Sequence, residues 1–271
     1  MKIPSIRGAT WFDRLTDMAR PMPGLSPSIR MADGMLDGES VRFITVVPDP
    51  DNHYPRAVNG EVGLLEGWSL AKAVHQTMNE NRDKTVKCPI VCIIDVPSQA
   101  YGRREEAFGI HQALAGAVSA YAQARLLGHP LVGLIVGNAM SGAFLAHGYQ
   151  ASRLVAFNDP GVQIQAMGKA SAARITLRTV EALEELVATI PPMAYDVGSF
   201  RTLGLLSDLL DISNPDTPSD HDVSIVKIAL LRAISEARKD STLTSRLGAE
   251  NRARSSLVRE RMKACWQSEA A

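Results

Sequence analysis

Residues 131–143 read Leu131-Val132-Gly133-Leu134-Ile135-Val136-Gly137-Asn138-Ala139-Met140-Ser141-Gly142-Ala143. The first six are apolar without interruption, the pattern of a parallel strand covered on both faces. Apart from Met140, the rest are small or polar. Gly137 therefore reads as a turn, with a helix restarting over 138–146. Such a junction sets the free backbone N–H groups of a helix start at the carboxyl end of a strand.

Working outward, residues 89–96 (PIVCIIDV) form a second buried run, closed by Pro97. Between the two runs, Phe108, His111, Leu114, Ala115, Val118, Tyr121, Ala122 and Arg125 recur near helical spacing, which predicts a helix over about 104–127. Gly128-His129-Pro130 ends it. Residues 41–47 (VRFITVV) read as a strand stopped by Pro48-Asp49-Pro50, and a helix follows from Trp68 through Leu70, Ala71, Val74 and Met78. Residues 153–157 (RLVAF) add a third buried strand to those at 89–96 and 131–136. Further helices are expected over 170–190, up to Pro191-Pro192, and over 223–238. This alternation is repeated βαβ structure, the α/β class, with chemistry expected in the loops at the strands' carboxyl ends. Residues 1–271 are expected to form a single domain. Its N-terminal arm, about 1–40, reads as loop-rich because of Pro4, Pro21, Pro23, Pro27, Asp33-Gly34 and Asp37-Gly38. A C-terminal helical region covers about 221–271, with an Arg-rich peripheral helix beyond Ser241.

Lys+Arg and Asp+Glu both total 29, so no net field draws this chain to nucleic acid or to an anionic membrane. The 45% hydrophobic and 21% charged content argues for a folded core. Three cysteines, Cys88, Cys92 and Cys265, cannot all pair, and no signal-like leader opens the sequence, so a reduced, cytoplasmic protein is expected. Cys88 and Cys92, four apart, read as buried thiols on one face of a strand. The stretch 130–146 is too short and too broken by glycine to span a bilayer.

Nucleotide-binding motifs are absent: neither G-x-G-x-x-G after a strand nor G-x-x-x-x-G-K-[ST] occurs. The six histidines show no metal-ligand spacing, and no metal is expected. The chemistry-bearing candidates are Gly137, Ala139, Met140, Ser141 and Gly142. The small residues among them let a ligand oxygen approach backbone donors, which is how an oxyanion hole is made. The same residues also suit a tight strand-to-helix turn. The strand end before it offers Ser98, Gln99 and Tyr101 as hydrogen-bond donors and pocket wall. Next to these, Arg103-Arg104 can be a phosphate or acidic-partner contact, or simply the solvated start of a helix carrying Glu105-Glu106.

At these segments the sequence resembles the carboxyltransferase subunits of the crotonase-like superfamily, most closely the gamma-subunit family of biotin-independent malonate decarboxylases. The run from Cys88 to Pro97, ending Asp95-Val96-Pro97, parallels the carboxyltransferase strand ending in Asp-Thr-Pro. Ile135-Val136-Gly137-Asn138-Ala139-Met140-Ser141-Gly142-Ala143 parallels its oxyanion turn. The Ser98-Gln99-Ala100-Tyr101-Gly102-Arg103-Arg104-Glu105-Glu106 loop, Asn59-Gly60-Glu61-Val62-Gly63-Leu64 with Glu66-Gly67-Trp68, and Ser141-Gly142-Ala143-Phe144-Leu145-Ala146-His147-Gly148 are similar to the decarboxylase version. The resemblance covers about residues 40–190.

It implies a crotonase-like (ClpP/crotonase) fold of repeated β-β-α units. It also implies a homologous beta subunit as partner, an acyl carrier (delta) subunit and an alpha (acyl transferase) subunit. The implied reaction is decarboxylation of a malonyl thioester on the carrier, whose prosthetic group, phosphoribosyl-dephospho-coenzyme A, is the substrate arm. No cofactor is implied for this chain alone. Where biotin-dependent relatives have glycines, this chain has Ala139 and Met140, which would narrow a biotin pocket. The related ClpP-like serine hydrolases suggest a rival reading with Ser141 as nucleophile and His111 or His147 as base, although His147 lies too far along the helix. A non-catalytic scaffold for an active partner is the third.

Overall fold

The computed structural model describes residues 4–269. In chain order the elements are α1 (Arg7–Leu15), β1 (Ile29–Leu36), β2 (Glu39–Val46), α2 (Leu64–Glu80), β3 (Ile90–Val96), α3 (Arg103–Ala107), α4 (Ile110–Leu126), β4 (Leu131–Met140), α5 (Ser141–Ala146), β5 (Arg153–Phe157), β6 (Gln163–Gln165), α6 (Lys169–Ile175), α7 (Val180–Val187), α8 (Val197–Thr202), β7 (Asp208–Leu210), α9 (Asp220–Lys239) and α10 (Ala253–Glu269). One sheet runs β1-β2-β3-β4-β5-β7, parallel from β2 onward, and β6 pairs with the end of β4. Every residue of β3 is buried, as a strand covered on both faces requires. Helices α1 and α9 pack together against the sheet, while α2, α4 and α5 form the other group.

The loop-rich arm expected over 1–40 is instead a helix and a strand. Trp11, Phe12 and Leu15 form an apolar face on α1 that is fully buried, with the Trp11 ring 4.7 Å from that of Phe157. The Trp11 indole N–H donates to the Pro215 carbonyl. The prolines at 21, 23 and 27 lie in the connection, and Asp37-Gly38, both at positive φ, form the two-residue turn of the β1–β2 hairpin.

Three further expectations are corrected. The helix over 104–127 divides into α3 and α4 at Gly109, whose φ of 81° breaks the ladder. The helix over 170–190 divides into α6 and α7 around Leu177, at φ 54°. Cys88 precedes β3, so it does not share a strand face with Cys92. Cys92 is buried, which pushes its thiol up to about 12. The peripheral helix expected beyond Ser241 corresponds to α10, most of whose residues are exposed.

Candidate active site

Two loop ends meet above the sheet, and Asp95 holds them together. This buried carboxylate closes β3. Its Oδ1 accepts from the Asn138 N–H at 3.1 Å, and its Oδ2 accepts from the Ser5 hydroxyl at 2.5 Å and from the Gly8 N–H at 3.3 Å. One side chain thus fastens β3 to β4 and to the N-terminus of α1, where a negative charge also suits the helix dipole. Gly137 leaves the space for it: a Cβ there would overlap the Asp95 carboxylate.

The turn expected at Gly137 lies elsewhere. β4 continues to Met140, because Asn138, Ala139 and Met140 pair with Gln163, Ile164 and Gln165 of β6, and Ala139 also pairs with Val96. Gly137, Ala139 and Met140 are therefore buried strand residues. The chain turns at Ser141, whose φ of 61° is the left-handed region, and α5 begins there. In its first turn the Gly142 N–H has no intrahelical acceptor.

Gln99 comes to the same place from the β3 side. Val62 pins its loop, donating its N–H to the Ser98 carbonyl at 3.0 Å and accepting from the Ala100 N–H at 2.9 Å. The Gln99 carboxamide, without a hydrogen bond among the described residues, lies so close to the Gly142 Cα that a Cβ on Gly142 would overlap its Oε1. Gln99, Ser141 and Gly142 open on one cavity of about 410 Å³, completed by Phe144, Leu145, Tyr149, Ile164, Gln165, Ala166, Phe200, Leu205 and Arg252.

The other sequence candidates lie outside the cavity lining. The Ser98 hydroxyl donates to the Gln99 carbonyl. Tyr101 is 53% exposed, so the pocket wall expected of it is not formed in this chain. Arg103 is exposed, and the Arg104 guanidinium stands 5.4 Å over the Tyr54 ring and 5.7 Å over the Phe108 ring. Sequence reasoning missed Phe200, Leu205 and Arg252, which reach the cavity from segments far along the chain. It also left Glu66 without a role. That fully buried carboxylate accepts from the Ser28 hydroxyl, the Asn52 amide and the Gly63 N–H, and so caps α2 and anchors the neighbouring loop.

Ser141 makes no hydrogen bond to a histidine among the described residues. His147 is buried past the end of α5, with Nδ1 against the Tyr121 hydroxyl at 3.0 Å and Nε2 against the Ile93 carbonyl at 2.9 Å. Burial pushes it down to about 4. It is a packed, hydrogen-bonded support, and among the described residues no histidine stands beside Ser141 as the base a serine nucleophile needs.

The sheet with its β6 branch, parallel from β2 onward, defines a protein of the crotonase-like fold. The transcarboxylase 12S structure shares this fold at 19% identity and a TM-score of 0.65, over 87% of this chain and 42% of that one. The chain belongs to the malonate decarboxylase gamma subunit (MdcE) family, whose model matches residues 57–266. A Pseudomonas malonate decarboxylase hetero-tetramer solved in complex with coenzyme A contains a chain 57% identical to this one. The TM-score there is 0.93, over 96% of this chain and 99% of that chain. The malonyl-S-ACP:biotin-protein carboxyltransferase MADD of Malonomonas rubra is 34% identical over 192 residues; the match spans 70% of this chain and 62% of that relative.

Proposed function

We propose that this chain is the gamma half of a two-subunit decarboxylase centre. With a homologous beta subunit it removes carbon dioxide from a malonyl thioester held on an acyl carrier (delta) subunit, leaving the acetyl thioester. The carrier's phosphoribosyl-dephospho-coenzyme A arm delivers the substrate, an alpha (acyl transferase) subunit loads it, and the assembly works in the cytoplasm. In the reaction the bond from the α-carbon to the carboxylate breaks and its electron pair moves into the thioester carbonyl. A proton then quenches the resulting enolate at the α-carbon. Enolate charge is stabilised by donors already in place before it develops.

The observation that carries this reading is the single cavity joining Gln99 to Ser141 and Gly142. The Gln99 amide and the Gly142 N–H are donors without a hydrogen bond among the described residues, one from the β3 end and one from the β4 end. Of the five backbone candidates, Gly137, Ala139 and Met140 act beneath them as the strand that holds the turn. The coenzyme A bound to the Pseudomonas relative fits a thioester arm. Assay of the assembled complex with a malonyl thioester tests the proposal. Gln99→Ala should lower kcat by about 100-fold, the usual effect of losing one oxyanion donor. A wild-type rate in that variant would sink the assignment, and activity in the beta subunit alone would make this chain a scaffold.

A further inference from the structure

One end of the cavity is positively charged without a counter-charge. Of its lining residues only Arg252 carries a charge, while Phe144, Leu145, Ile164, Phe200 and Leu205 make much of the wall apolar. The half-buried Arg252 side chain has neither a hydrogen bond nor an ion pair among the described residues; its backbone N–H donates to the Ala249 carbonyl. Several other buried or half-buried arginines are paired with carboxylates, among them Arg7 with Asp159, Arg42 with Asp33 and Arg153 with Glu236.

Behind the same wall lies a second uncompensated cation. The buried Arg246 guanidinium donates to the carbonyls of Tyr149 and Ala151, and stands 5.0 Å over the Tyr149 ring. Tyr149 itself lines the cavity. Burial, and then the neighbouring cations Arg125 and Arg252, push Arg246 down to about 10. Arg252 on the lining and Arg246 behind Tyr149 thus set two neighbouring cations beside a largely apolar cavity, and neither has an ion pair among the described residues. That field favours an anion carried on a short apolar body.

We infer that Arg252 receives the free carboxylate of the acyl thioester and lets this cavity distinguish malonyl from acetyl groups. The inference rests on the proposed function. Its effect belongs to capture rather than to rate: decarboxylation turns the anion into neutral carbon dioxide, so an ion pair is stronger with bound substrate than in the transition state. The phosphates of the arm are the same on malonyl and acetyl thioesters, which separates a carboxylate contact from a phosphate contact.

The test is equilibrium binding of two stable thioethers to the assembled complex. These are S-(2-carboxyethyl)-coenzyme A, which carries the carboxylate, and S-propyl-coenzyme A, which lacks it. Arg252→Ala should weaken the first by roughly 10- to 100-fold, the usual loss for a charge-assisted pair, and leave the second within about twofold. Arg252→Lys should recover part of the preference, and in turnover Arg252→Ala should raise KM without lowering kcat. Equal weakening of both ligands, or of neither, overturns the inference. A complex without decarboxylase activity that keeps an Arg252-dependent preference would refute the proposed function and leave this inference standing. An active complex whose preference survives Arg252→Ala would do the reverse.

Discussion

His147 shows how a residue inside a functional motif can be structural. Its imidazole is buried between the Tyr121 hydroxyl and the Ile93 carbonyl and held near a pKa of about 4, whereas the unfolded chain returns it to about 6.5. Between those values the unfolded state binds the extra proton, so stability is complete above about pH 6.5 and is lost as pH falls toward 4. The single site accounts for about 3 kcal/mol across that window. Denaturant melts from pH 7 to 4.5 should show this slope, and His147→Gln should flatten it while lowering stability at pH 7. Gly137 offers a second residue-scale test, because a methyl group there overlaps a carboxylate that three donors hold in place. Gly137→Ala should cost about 1–3 kcal/mol, read as a fall in urea midpoint, since the Asp95 clamp cannot yield without releasing a donor. At Gly142 the overlapped atom is the tip of a flexible glutamine, so Gly142→Ala should change stability far less.

At the scale of elements, β3 and the first part of β4 were legible because strands buried on both faces must be apolar throughout, and Val91, Cys92, Ile93, Ile94, Val132, Leu134 and Ile135 satisfy that rule locally. The end of β4 was not legible. Gly137 and Asn138 have the local chemistry of a turn, and what extends the strand is β6, a three-residue partner about two dozen residues ahead whose pairing leaves no periodic trace. The turn moved to Ser141 as a result, a residue with no sequence signal for positive φ. The breaks at Gly109 and Leu177 escaped for a similar reason, since apolar spacing continues across them. Gln99, Ser141 and Gly142 were readable as strand-end candidates, but Arg252 was not, because only tertiary folding carries that tail segment to the cavity. The strained turn makes its own prediction. Ser141→Val, β-branched in the left-handed region, should lose about 1–3 kcal/mol, whereas Ser141→Gly should stay within about 1 kcal/mol of the parent. A thermal-melt series in which the two variants fall together would mean that Ser141 does not hold this conformation.

For the whole molecule, equal numbers of acidic and basic residues mean that any attraction to the proposed carrier, if that carrier is acidic, would have to come from a patch, and the structure divides the Arg103-Arg104 pair into two unlike roles. Arg104 is spread over Tyr54 and Phe108, so removing it also removes packing worth roughly 0.5–1 kcal/mol. Arg103 is exposed and has no such contact with an aromatic ring; it is the cleaner probe of long-range charge. If the carrier docks beside this loop, Arg103→Gln should raise the KM for the malonyl carrier by a few-fold and leave the KM for malonyl-coenzyme A unchanged. A rim charge acts mainly on encounter, and the small thioester does not depend on that docking face. The wild-type preference for the carrier should also fall with added salt, because such attraction is screened over about 8–10 Å at physiological ionic strength. Steady-state kinetics with both substrates at two salt concentrations decides the matter. A loss shared equally by carrier and coenzyme A substrates would place Arg103 in the catalytic centre instead of on the carrier's path.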